Sequence, residues 1–378
     1  MHIRIFHRIS IYRAGLCKFC TDRKITLLKR YIAFFTRIFA LLCLILPILR
    51  YPAAALEAAK QAYLLWGNAV LPALFPLGVL LSTFFALGGT DAPAKLLHPL
   101  CTRLFGLEGR AAALFAASAF AGYPMGARLT TDLCQKGCLP ADRARLLLGC
   151  ISTSGPGFIT GTLCIGMFHD ASLAPYLLVP HYASAAVLCL LTGRCAAVPP
   201  APHVSIPALQ RSLGAALAES VSSCLQSLLT VCGYMMLYSV ICALCRQVLA
   251  PLPQGLRTFA QLLSGLLELT AGCTATASLP MHLRLPLCSL YLGFGGLCIH
   301  SQTHTIAAAA GLRPSCFWIH KSIQGVLAMV LCALMLYLFP LDASDIGLPL
   351  PALLGILAGV LLTAYVTERC LAAAQISS

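Results

Sequence analysis

The chain has 378 residues, 59% of them hydrophobic and only 10% charged, with a mean hydropathy of +0.85. A soluble domain carries roughly a quarter of its residues as charges, so 26 basic and 12 acidic side chains are too few to cover a protein of this size. That excludes a cytosolic enzyme, a disordered protein and a secreted disulfide scaffold. Runs of about 20 apolar residues recur along the chain and point to an all-α, polytopic membrane protein. A β-barrel, with short alternating segments, does not fit.

The net charge of +14 is not a nucleic-acid signal. Eight of the basic residues (Arg4, Arg8, Arg13, Lys18, Arg23, Lys24, Lys29, Arg30) precede the first apolar run. This is the positive-inside pattern, and it places a basic N-terminal tail, residues 1–30, in the cytoplasm. The lead is too long, and a small-residue cleavage site too ill-defined, for a removable signal peptide.

The membrane domain, 31–378, holds apolar segments at 31–49, 64–89, 111–127, 146–168, 173–192, 225–245, 259–279, 287–305, 323–340 and 348–366. Two differ from the rest. Segment 111–127 is short, rich in small residues, and ends in Gly122-Tyr123-Pro124-Met125-Gly126-Ala127-Arg128. Segment 259–279 carries Glu268 between Gly265 and Gly272. Glycine and proline break helices, and broken backbone at membrane depth persists only where it is buried or lines a cavity.

Loop charge decides how these two run. If both re-enter rather than cross, Lys95, Arg103, Arg110, Arg128, Lys136, Arg143, Arg145, Arg194, Arg211, Arg313 and Lys321 are cytoplasmic. Only Arg50, Lys60, Arg246, Arg257 and Arg284 then lie outside. This distribution obeys the positive-inside rule better than two crossings do. The expected architecture is about eight spanning helices plus two re-entrant segments, with both termini cytoplasmic.

That topology contains two similar units, 64–168 and 225–305. Each has a spanning helix, a basic loop, a re-entrant segment and a glycine-rich helix. One extra crossing separates them, so the second is inverted, an arrangement known from secondary transporters. A Pro-rich stretch within 193–211 reads as the linker. The 20 cysteines sit mostly inside apolar runs, where a reduced Cys packs as a small hydrophobe.

Glu268 is the acidic residue placed deepest in an apolar segment. Its insertion costs about 2.5–3.5 kcal/mol, so it faces a cavity, pairs with a cation or titrates. The plainer readings are a helix end at the headgroups or a buried pair with an Arg. Thr270 follows it. Ser152-Thr153-Ser154-Gly155-Pro156 interrupts segment 146–168, and Pro156 frees carbonyls that hydroxyls or a solute can meet. His300 and Gln302 lie in a polar run after Gly295-Gly296. His300 and His304 share a helix face, but two ligands without a third are a weak metal site. Arg128 can meet an anion or simply anchor the first turn. Lys321 and Arg313 read as anchors. No enzyme signature is present, and no cofactor is implied.

These motifs carry a resemblance. Trp66-Gly67-Asn68-Ala69-Val70-Leu71-Pro72-Ala73-Leu74-Phe75-Pro76, the Gly122–Arg128 turn, Ser152–Phe158, Ser264–Gly272 and Gly295–Gln302 together resemble the sporulation integral membrane protein family (YlbJ-like) of Firmicutes, over about 60–340. That family carries the nucleoside-recognition, or Gate, domain. The resemblance implies a multi-pass, transporter-like protein of the outer forespore membrane, associated with the passage of dipicolinate. Ala121, Arg128 and Ser152 depart from the usual Ser, Lys and Asn of that pattern. Arg128 keeps the charge but not its shape.

The expected function is a permease for a small carboxylate anion, with proton or sodium coupling and homo-oligomerisation left open. Its expected site is Tyr123, Arg128, Ser152, Thr153, Ser154, Glu268, Thr270, His300 and Gln302. The alternatives are a nucleoside-type carrier and a non-transporting assembly or sensor protein of the forespore envelope. The implied partners are the lipid bilayer and a small anion, not nucleic acid.

Overall fold

In the computed structural model the described residues are 31–89, 117–135, 139–195, 212–314, 316–341 and 348–376, with positions 96, 99 and 137. The basic tail and residues 196–211 of the linker, with Arg211, fall outside them, as do the start of segment 111–127 and Lys95, Arg103, Arg110 and Lys136. Among the described residues all regular structure is helical. Seven helices are long and apolar enough to cross a membrane.

The chain divides into two units, 1–55 and 56–378. The first contributes helix α1, Tyr31–Arg50. Helix α2, Pro52–Ala86, begins in it and runs into the second unit. It widens into a π-turn at Trp66–Val70, where the Leu71 N–H reaches back to Trp66 O. This wider turn falls just before Pro72, which has no N–H to donate.

In the larger unit the first segment expected to re-enter turns back on itself. A helical turn over 117–121 ends at Gly122, whose φ of +85° stops it, and α3, Tyr123–Gln135, follows. A Cβ on Gly126 would meet Ser118 Oγ at 2.8 Å. Eight residues along a straight helix are about 12 Å apart, so the chain reverses at Gly122. The expected 146–168 helix is divided. It comprises α4, Ala141–Ile151, an irregular stretch 152–155, and α5, Phe158–Met167, which is wound as a π-helix. Helix α6, Ala174–Cys195, follows.

The same succession recurs. Helix α7, Leu213–Leu249, is far longer than the 225–245 expected, because Glu219, Ser220, Ser222 and Ser223 interrupt the apolar run without ending the helix. Next come α8, Gln254–Leu263, and α9, Leu269–Ala275, separated at Glu268. A Cβ on Gly272 would lie 2.2 Å from Gly265 Cα. In a straight helix those residues would be about 10 Å apart, so this segment too reverses. A broken pair follows: α10, Met281–Phe294, then left-handed Gly295 and Gly296, then α11, Gly296–Ala309. Helices α12, Phe317–Leu338, and α13, Leu350–Ile376, complete the chain.

Helix α12 sits at the centre of the larger unit. Its Gly325 abuts Gly293 of α10 so closely that a Cβ on Gly293 would meet Gly325 Cα at 2.7 Å. Small residues allow such backbone contact, which drives helix association where lipid is as apolar as the side chains. Around it, Leu148, Ile151, Leu188 and Phe317 fill one core cluster, and Ile159, Leu163, Leu285 and Leu292 a second. Trp66, Leu74, Met125 and Leu228 form a third, and Trp66 Nε1 donates to Leu228 O at 3.0 Å, pinning α2 to α7.

Candidate functional site

The four interruptions meet. Gly122 lies against the 152–155 break, where its Cβ would stand 3.3 Å from Gly155 N. In the second half, Cys298 N donates to Leu267 O at 2.9 Å, tying the start of α11 to the α8–α9 turn. Tyr123 joins the halves: its hydroxyl donates to Leu292 O, beside the Gly295 break. Between them is a cavity of about 60 Å³, lined among others by Gly122, Tyr123, Ser154, Glu268, Thr270 and Gln302.

Half-helices open onto this cavity with their N-terminal ends. Tyr123 begins α3, Phe158 begins α5, Leu269 begins α9, and Cys298 and Ile299 lie in the first turn of α11. Free N–H groups and the helix dipole make such ends positive. Neither α5 nor α11 has a side-chain cap. The short α9 is capped by Glu268 itself, whose Oε2 accepts from Ala271 N at 2.7 Å and from Thr270 Oγ1 at 2.5 Å. Glu268 is therefore a buried helix cap at the cavity wall, 3% exposed.

The sequence-predicted residues separate into two groups. Tyr123, Ser154, Glu268, Thr270 and Gln302 line the cavity together. Ser152 and Thr153 belong to the same break but do not line the cavity, and Thr153 Oγ1 is 3.5 Å from Ser118 O. Arg128 points to α7, where its Nη1 donates to Ser223 O and Ser227 Oγ at 2.6 Å each. His300 lies in an aromatic nest of Phe294, Phe317 and Trp318, its Nε2 2.9 Å from Phe294 O.

Lys321 is not an anchor. It is fully buried, and its Nζ donates to Ser152 O in the first break and to Gln324 Oε1 at 2.6 Å. The ammonium also lies 5.1 Å from the centre of the Tyr123 ring, a cation–π contact. Among the described residues no carboxylate is hydrogen-bonded to this lysine, which is buried against a carbonyl, an amide and aromatic rings. The only sequence signal was its i, i+3 spacing to Gln324 within an apolar helix.

Two further groups stand outside the sequence-based expectation. His181 Nε2 accepts from Ser154 N at 2.9 Å. His181 Nδ1, Ser152 Oγ and Gln324 Nε2 are buried without hydrogen-bond partners among the described residues. Such groups usually mark a place where polar ligand or water is accommodated. Glu268 is also not alone as a deep carboxylate: Glu368 on α13 is 2% exposed, with Oε1 2.9 Å from His320 Nε2. The apolar run expected to end at 366 continues as helix and carries Glu368 inward.

Among the described residues no group of three or more His, Cys, Asp and Glu side chains is disposed to hold a metal ion.

Over 322 residues the chain is 28% identical to the sporulation integral membrane protein YlbJ of Bacillus subtilis (strain 168). That similarity covers 76% of this chain and 79% of the other. No family model matches the chain, and no solved structure matches it.

Proposed function

We propose that this multi-pass membrane protein, which is similar to YlbJ, is a sporulation-associated permease for a small carboxylate anion. Dipicolinate crossing the outer forespore membrane is the substrate and place that the family resemblance favours. The reading rests on one observation. Two reversing segments and two broken helices, drawn from both halves of the chain, bring half-helix N-termini to one cavity that holds Tyr123, Glu268 and Gln302, with Lys321 behind the Tyr123 ring. Inverted halves that place discontinuous helices at the midplane are built for alternating access.

The chemistry follows from the charges. An anion in the cavity is held by the positive helix ends and by Lys321 behind the Tyr123 ring. Glu268 on the cavity wall repels it unless its own charge is cancelled. A proton or a sodium ion on Glu268 cancels that charge, so the anion and the cation enter together. The cavity is too small for an aromatic dicarboxylate as it stands, at about 60 Å³. We therefore read this arrangement as the closed form, with the two reversing segments as the parts that move.

The test is uptake of radiolabelled dipicolinate into proteoliposomes holding the purified protein. Saturable uptake driven by a proton or sodium gradient is expected. In Glu268→Gln, which keeps a cap acceptor but not the charge, uptake should continue only downhill and lose its response to the gradient. Absence of saturable uptake in the wild type would overturn the permease reading.

A further inference from the structure

A second and larger cavity lies on the other side of the α8–α9 turn. Its volume is about 450 Å³. Its walls come from the end of α7, from α8, and from Phe294, Leu297 and Trp318. Leu266 and Leu267 face this cavity, whereas the next two residues, Glu268 and Leu269, face the inner one. One turn of chain therefore separates the two spaces.

The lining is mostly apolar, but it holds two guanidinium groups, Arg246 on the last turn of α7 and Arg257 on α8. Neither has a hydrogen-bond or ion-pair partner among the described residues, and no acidic residue lines the cavity. Arg246 is fixed where a cation suits the helix C-terminus, yet its forked donors stay available. Arg presents a planar pair of N–H donors matched to a carboxylate. Trp318, 48% exposed, supplies an aromatic face beside them. A lipid tail would need neither arginine, and an unpaired guanidinium facing hydrocarbon costs about 2.5–3.5 kcal/mol.

We infer that this cavity is an outer binding site for a small carboxylate with a flat apolar body, held by Arg246 and Arg257 and stacked on Trp318. It stands in front of the hairpin turn that closes the inner cavity. That last placement rests on the permease reading, whereas the binding itself does not.

The two tryptophans of the chain give the assay, because Trp66 is buried in another core cluster. In full-length protein carrying Trp66→Phe, in phosphatidylcholine nanodiscs, benzoate and dipicolinate should change Trp318 fluorescence saturably, and benzylamine should not. Both arginines are exposed, so Arg246→Gln/Arg257→Gln should fold and bind at least tenfold more weakly, with Arg246→Lys/Arg257→Lys falling between.

No saturable response, or an equal response in the Gln pair, overturns the inference. So does a response to phosphatidylglycerol in the disc with none to benzoate, which would make this a lipid headgroup site. Binding without uptake in proteoliposomes sustains the outer site and removes the permease reading. Uptake without any Trp318 response removes the outer site and leaves the permease reading standing.

Discussion

Replacing Lys321 with Met separates a functional charge from a structural one. The side chain is fully buried, and Met has similar length. Loss of the ammonium leaves Ser152 O and Gln324 Oε1 unpaired, at about 1–3 kcal/mol each. Against this, removing a buried charge recovers a desolvation penalty of several kcal/mol. The two offset, so the variant should insert and melt near the wild type. Binding should change much more. The ammonium lies 5.1 Å from the Tyr123 ring centre, and an anion touching the far face lies about 3.5–4 Å beyond it. At that combined separation and an effective dielectric of about 20, the attraction is about 2 kcal/mol. Its loss corresponds to roughly twentyfold to thirtyfold in half-saturation. The assay is dipicolinate uptake into proteoliposomes across a concentration series, with melting followed in parallel. A half-saturation within threefold of wild type in a properly inserted Lys321→Met protein would refute the reasoning, because the charge would then play no part in holding the anion.

Further outcomes follow from the packing. Gly272→Ala drives a methyl into Gly265 Cα and should cost about 3 kcal/mol or more, whereas Gly359→Ala, which meets nothing within 4 Å, should cost nothing; thermal melting in detergent compares them. Glu368→Ala leaves His320 buried and unpaired and should cost about 3 kcal/mol, with Glu368→Gln milder. An unchanged melting point in Glu368→Ala would show the contact contributes little. In a cysteine-free background, Gln254→Cys and Ser278→Cys, both exposed, should react with an impermeant maleimide from the same side of the membrane. Labelling from opposite sides would mean that residues 254–278 cross it.

The breaks were legible because they are local. Gly122, Ser152–Pro156, Glu268 and Gly295-Gly296 each state a conflict between a helix and its own residues, visible within one window. Which of the neighbouring polar residues share the cavity was not visible, since that depends on how separate windows meet. Arg128 closes the Gly122–Arg128 motif yet is engaged by the serines of α7. Lys321 was misread for a positional reason. It precedes the apolar run counted from 323, where a lysine ordinarily snorkels to the interface, but the helix starts at Phe317 and carries it inward. Glu368 hid in the same way at the other end, because α13 continues beyond the last strongly apolar residue. His181 gave no signal at all: a lone histidine in an apolar helix is ordinary core until a chain break is found to donate to it.

The close crossing of Gly293 and Gly325 has a mechanical consequence. It fastens α12 to α10, and Lys321 on α12 grips Ser152 O in the opposite half of the chain. The two broken helices are thereby joined through one shared strut, and a shift of either drags the other. The folded-back segments are tied to this strut in turn, by Tyr123 to Leu292 O and by Leu267 O to Cys298 N, so a displacement at one break is felt at the others.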